Sequence, residues 1–157
     1  MYNKYLEREF GLQIQQSMTQ GYSEEEIDLI SKLYDVNVTG QLKEFLKEIG
    51  RCSGGVFDDD DVIFYRSHWG IRDFLSINFS LEDGGKEEGH LDYLGQTFLI
   101  TLVDEIQAYF LRTKPGASPL ICYFDENNGR LEETGSTLIE YLRNIVVHKK
   151  GQIGRPF

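Results

Sequence analysis

Residues 98–111 read Phe-Leu-Ile-Thr-Leu-Val-Asp-Glu-Ile-Gln-Ala-Tyr-Phe-Leu. Phe98, Ile100 and Leu102 alternate with Leu99, Thr101 and Val103, and after Asp104-Glu105 the alternation resumes with Ile106, Ala108 and Phe110 against Gln107, Tyr109 and Leu111. A period of two on both sides of two polar residues predicts a β-hairpin, although the glycine usual in so tight a turn is missing. Lys114-Pro115-Gly116 breaks the chain, and Leu120-Ile121-Cys122-Tyr123-Phe124 predicts a third strand. The turn-rich run Asp125-Glu126-Asn127-Asn128-Gly129 leads to a short fourth strand over 130–134.

Helical periodicity flanks this block. On its C-terminal side Ser136 is the expected cap of a helix that buries Leu138, Ile139, Leu142, Ile145 and Val146 and ends in His148, Lys149 and Lys150, cations suited to the negative end of a helix dipole. On its N-terminal side Ser23-Glu24-Glu25-Glu26 is a capping box, followed by Ile27, Ile30 and Tyr34 on one face with Leu33 beside them, and this helix should stop near Val36-Asn37. Thr39 offers a second N-cap, Leu42, Phe45, Leu46 and Ile49 make an apolar face, and Gly50 sits at the C-cap position. A further helical stripe, Leu6, Phe10, Ile14 and Met18, opens the chain. Val62-Ile63-Phe64-Tyr65 reads as a strand, residues 69–81 lean to helix, and residues 82–90 read as a loop. Helices, hairpin-linked strands and a closing helix predict one α+β domain over 1–157, with an antiparallel or mixed sheet of about four to six strands covered on one face.

The chain has 157 residues, 40% hydrophobic and 13% aromatic, enough for a continuous core. No 18-residue apolar run predicts a membrane span. The first residues lack the apolar core of a secretory signal, so a cytoplasmic location and free thiols at Cys52 and Cys122 are expected. The sequons at Asn37 and Asn78 are then fortuitous. Twenty-six acids against 16 bases give a net charge of −10, which repels nucleic acid and anionic membranes and attracts a basic protein.

The standard catalytic signatures are missing: no phosphate-binding glycine loop, no Gly-x-Ser-x-Gly, and no paired metal spacing around His68, His90 or His148. Adjacent carboxylates at 104–105 and 132–133 point to opposite faces of a strand and cannot converge on one substrate atom. No catalytic residue, metal site or cofactor is therefore expected. The run Asp58-Asp59-Asp60-Asp61 fails the calcium-loop template, because Ile63 and Trp69 stand where Gly and Glu are needed. It reads either as a solvated loop or as a docking patch for a partner's Lys and Arg. Between Phe57 and His90 nine acids face three bases, more than half of the molecule's excess charge. With Tyr65 and Trp69 as aromatic anchors beside Asp58, Asp59, Asp60, Asp61, Glu82 and Asp83, that segment is the candidate partner-binding surface, although Trp69 also suits the core.

A wider pattern carries a resemblance. Val36-Asn37-Val38, then Gln41-Leu42-Lys43-Glu44-Phe45-Leu46, Gly50 and Ser53-Gly54-Gly55, followed by Phe98-Leu99-Ile100, Gln107-Ala108-Tyr109-Phe110, Pro119-Leu120-Ile121-Cys122-Tyr123 and Ser136-Thr137-Leu138-Ile139-Glu140-Tyr141-Leu142, resembles the SUKH superfamily over roughly 27–147. Gly40 stands where that family commonly has Pro, Leu138 replaces a usual aromatic, and residues 58–95 match no part of the pattern. The resemblance implies an α+β fold and a role as a bacterial immunity protein that binds and neutralises a cognate toxin, often a nuclease or deaminase; eukaryotic relatives are linked to cell-wall regulation. It supplies no catalytic site and no fixed toxin-facing residues. The expected partner is a basic toxin domain, bound by a monomer or weak dimer. The alternatives are a non-toxin interaction module or regulator, and a small metal-dependent protein using the 58–61 run with His68 or His90.

Overall fold

The computed structural model describes residues 19–53, 56–59, 61–65, 96–104, 107–125, 127 and 129–153, with backbone alone for 19 and 149–153. The opening helical stripe and the readings made over 69–81 and 82–90, together with Trp69, Glu82 and Asp83, lie outside these residues, as does Asp60.

The described elements run β1 (Thr19–Gln20), α1 (Glu24–Tyr34), α2 (Gly40–Ile49), β2 (Cys52–Ser53), a 3-10 turn (Ile63–Tyr65), β3 (Thr97–Val103), β4 (Gln107–Arg112), β5 (Leu120–Asp125), β6 (Arg130–Thr137) and α3 (Leu138–Ile153). The fold is α+β: β3-β4-β5-β6 form a four-stranded antiparallel sheet in sequence order, and α3 closes after it. β1 and β2 pair separately as a two-stranded antiparallel ribbon.

Local chemistry explains α1. Ser23 Oγ accepts from the Glu26 N–H at 3.2 Å, and Glu26 Oε1 accepts from the Ser23 N–H at 3.0 Å, the reciprocal cap expected from the sequence. Ile27, Ile30 and Tyr34 turn inward, whereas Leu33 is exposed. The helix ends at Tyr34 because Asp35 adopts the left-handed conformation at φ 52° and returns its N–H to the Ser31 carbonyl. Asn37 then ties the linker to the sheet: its amide nitrogen donates to the Thr113 carbonyl and its N–H to Thr113 Oγ1, both at 3.0 Å.

In α2, Leu42, Phe45, Leu46 and Ile49 are all buried, as the i, i+3, i+4, i+7 spacing requires. Thr39 stands at the N-cap without a side-chain capping bond, and Gly50 takes the ordinary right-handed conformation at φ −60° rather than a left-handed one. Space explains that glycine: a Cβ there would lie 2.6 Å from both the Leu46 carbonyl oxygen and the Tyr22 ring. Across the two helices Glu24 meets Lys43 at 3.1 Å and Lys47 at 3.2 Å, exposed pairs that water screens and that add little to stability.

Phe45, Phe98, Phe110 and Phe124 are fully buried and anchor one apolar cluster that joins α1, α2, α3 and the sheet. Each such ring stabilises by roughly 1.5–3 kcal/mol relative to exposure. Every residue of β3 from Thr97 to Leu102 is buried, so that strand is covered on both faces; at the other edge Glu132, Glu133 and Thr134 are exposed. Coverage is thus graded across the sheet, a correction to the single covered face expected.

Three further expectations are corrected. The run Val62–Tyr65 is not a strand: Val62 and Asp61 donate to the Asp58 carbonyl at 3.1 and 3.2 Å, and Tyr65 donates to the Val62 carbonyl at 3.1 Å. Local turn hydrogen bonds there outweigh β-branched propensity. β6 runs on to Thr137 through an irregular register opposite Leu120 and Cys122, longer than the 130–134 strand expected. The cap of α3 is therefore Thr137, not Ser136: Thr137 Oγ1 accepts from the Glu140 N–H at 3.4 Å, and Glu140 Oε1 accepts from the Thr137 N–H at 3.1 Å. Gln41, at the start of α2, adds its Oε1 to the Ile139 N–H at 3.0 Å, joining the starts of the two helices.

Candidate functional site: a tyrosine groove with an acidic rim

Direct pairing in an antiparallel sheet places opposed residues on the same face. Tyr109 of β4 is opposed to Tyr123 of β5, and Tyr123 in turn to Glu132 of β6. The Tyr109 and Tyr123 rings meet at 5.0 Å between centroids with a 50° interplanar angle. Tyr141, one turn into α3, brings a third ring to 5.5 Å from Tyr109 at 33°. These three rings floor a groove of about 840 Å³, completed by Glu132, Arg130, Thr134 and Ser136 from β6, by Asn144, Ile145 and His148 from α3, and by Asp61.

One hydrogen-bonded chain holds the floor to the rim. The Thr101 hydroxyl donates to the Asp61 carbonyl at 2.6 Å, and because it has one proton it must accept from the Tyr141 hydroxyl, 2.7 Å away. Burial pushes the Tyr141 hydroxyl up to about 12, with the Thr101 bond opposing and the Tyr109 ring and Asp61 charge adding to the rise. Tyr123 is likewise raised, by loss of hydration and then by the Asp125 carboxylate, to which its hydroxyl donates at 3.3 Å. The Tyr141 and Tyr123 hydroxyls are therefore neutral donors at neutral pH.

The acidic run divides. Asp58 Oδ1 accepts from the Asp61 N–H at 3.0 Å, and Asp61 Oδ2 accepts from the Asp58 N–H at 3.1 Å. Two of the four carboxylates thus cap a turn reciprocally, which explains how neighbouring negative charges are held so close. Asp58 and Asp59 are exposed, while Asp61 is half-buried and lines the groove. Tyr65 is placed inward rather than as a surface anchor. Its hydroxyl donates to the Ile49 carbonyl at 2.6 Å, its ring lies 6.3 Å from Phe45, and burial raises its hydroxyl well above the ordinary range. Among the described residues, no three His, Cys, Asp or Glu side chains gather as a metal site, and no helix is long and apolar enough to cross a membrane.

Of the residues expected from the sequence to bind a partner, Asp61 alone among those described lines this groove. The tyrosines carry no catalytic or binding motif, although a signal exists: Tyr109 and Tyr123 stand at alternate positions in strands whose other face carries Ala108, Phe110, Cys122 and Phe124. A second groove, of about 620 Å³, lies between the start of α2 and residues 111–119; its charged side chains, Arg112 and Lys114, are both basic. It has the wrong sign for a cationic partner, whereas the tyrosine groove has the right one.

No family model, curated protein or solved structure matches this chain.

Proposed function

We propose that this chain is an immunity-type binding protein, which neutralises a cognate toxin domain by docking a basic surface of that toxin on the tyrosine groove and its acidic rim. The observation that carries the binding face is the juxtaposition of three packed tyrosines with Glu132 and Asp61 in one groove. Aromatic rings beside carboxylates are the combination that anchors protein interfaces, since rigid rings supply area at low entropic cost and flanking charge steers the encounter. The net charge of −10 extends that steering over the whole molecule. The toxin as partner rests on the SUKH resemblance, and a nucleic-acid-acting toxin is the natural basic counterpart. In this reading the chain inhibits by occupation rather than by chemistry, and it acts in the cytoplasm of the cell it protects.

Co-expression with each toxin-like domain found encoded beside this gene tests the proposal. Restored growth and a stable complex are the expected result, with the complex weakened by Glu132→Arg. A toxin that still kills and does not co-purify would remove the reading and leave the regulator alternative.

A further inference from the structure

The groove carries more detail than a generic acidic surface. Its three rings are packed against one another, at 5.0 and 5.5 Å between centroids. A cation sandwiched between two faces would have to push them apart, so this is not a cage for a bulky ammonium group. What fits is a flat cation lying along the outer ring surface with its edge directed at a carboxylate. A guanidinium meets that description, and a compact, strongly hydrated ammonium does not.

The molecule already places such a group there. Arg130, within the groove lining, points its Nε and Nη2 at Glu132 Oε2, at 3.3 and 3.0 Å. Its positive charge is also felt at the Tyr123 hydroxyl. Arg130 and Glu132 are two residues apart on one strand face, so their side chains run side by side and meet obliquely. A guanidinium entering from outside would approach the carboxylate head-on, in the geometry that favours paired N–H contacts. The resident pair is easily exchanged, because its side chains are 62% and 47% exposed.

We infer that the tyrosine groove is a receptor for one arginine side chain of a basic protein partner, and that Arg130 is an intramolecular stand-in that this arginine displaces from Glu132. The inference rests on the reading of this face as the partner-binding one, but its test does not need the partner.

The probe is N-acetyl-arginine methylamide, titrated into isotope-labelled full-length protein and followed by amide chemical shifts, with the lysine analogue in parallel. The expected shifts cluster at Tyr109, Tyr123, Glu132 and Thr134, and the lysine analogue binds several-fold more weakly. Arg130→Gln, an exposed substitution that should leave the fold intact, is expected to tighten arginine binding about two- to fivefold by freeing Glu132, and Glu132→Gln to weaken it by a similar factor. Arginine shifts that map elsewhere, equal binding of the two analogues, or an Arg130→Gln protein that binds no tighter would each overturn the inference. Toxin rescue with no arginine binding in the groove would sink the receptor and spare the proposed function; arginine binding without rescue would do the reverse.

Discussion

Replacing Thr101 by Val tests the joint that ties the acidic rim to the sheet and to the closing helix. The side chain is 7% exposed, and its hydroxyl both donates to the Asp61 carbonyl and accepts from Tyr141. Valine keeps the shape and removes both bonds. It leaves the Asp61 carbonyl without this donor and the Tyr141 hydroxyl without this acceptor; the second is half-buried and can recover part of its loss from water. With about 1–3 kcal/mol for each group left unsatisfied, and the lower end for Tyr141, the expected cost is about 2–4 kcal/mol. For a chain of this size that lowers Tm by roughly 4–16 °C. Tyr141→Phe alone should cost about 0.5–1.5 kcal/mol, because Thr101 can still bond Asp61. The double variant should then be about 1 kcal/mol more stable than the sum of the singles, since the orphaned hydroxyl is gone. Urea unfolding of the four proteins measures this cycle. Hydrogen exchange should show the Asp61 and Val62 amides, both bonded to the Asp58 carbonyl, losing protection in Thr101→Val while α2 keeps its own. A Thr101→Val cost under about 0.5 kcal/mol, or singles that add to within about 0.3 kcal/mol, would mean that the Thr101 hydroxyl does not couple Asp61 to Tyr141.

Two other perturbations probe the frame around the site. In Gly21→Ala the new Cβ would fall 1.6 Å from the Lys47 carbonyl oxygen, and the hydrogen bonds of Tyr22 to Leu46 and Arg51 to Gln20 hinder the strand from backing away. A loss of about 3 kcal/mol or more is expected in urea unfolding, and a change below about 1 kcal/mol would mean that the strand moves freely. Glu140→Gln addresses the cap of α3. The Thr137 N–H and hydroxyl, and then Arg143, hold the Glu140 carboxyl below its ordinary value against the opposing effect of burial. A depressed folded-state value stabilises above the unfolded value, near pH 4, and that contribution is lost as pH falls through the folded one. The variant should be less stable than the parent at pH 7, and the gap should close below about pH 4; a gap independent of pH would rule out the carboxylate's charge as its source.

What could be read in the sequence was what short-range chemistry controls. The capping box at Ser23 and Glu26, the buried face of α2 and the β3–β4 hairpin are local features, and all are present. The strict alternation read through Phe98, Ile100 and Leu102 is not: a register shift between Leu99 and Thr101 leaves Ile100 unpaired and puts Leu99 and Leu102, opposite Phe110 and Ala108, on one face and Phe98 on the other. Where two local tendencies compete, the structure departs from the stronger-looking one. The β-branched, aromatic run at 62–65 argued for a strand, but the two aspartates preceding it cap a turn. The α3 cap lies one residue beyond Ser136 because Ser136 and Thr137 are both good caps, and the choice between them depends on where β6 stops pairing with β5.

The groove depended on a longer range still. The fold class, the hairpin, the capped helices and the sign of the charge are legible along the chain, because propensity, periodicity and net charge are properties of neighbours or of sums. That Tyr109, Tyr123 and Tyr141 share one surface with Glu132 and Asp61, and that Tyr65 does not, follows from how the elements pack. Strand register fixes which side chains stand opposite one another, and helix docking decides which turn of α3 reaches the sheet. Both are set by packing between segments distant in sequence, and a one-residue slip of a strand would turn its tyrosine to the other face.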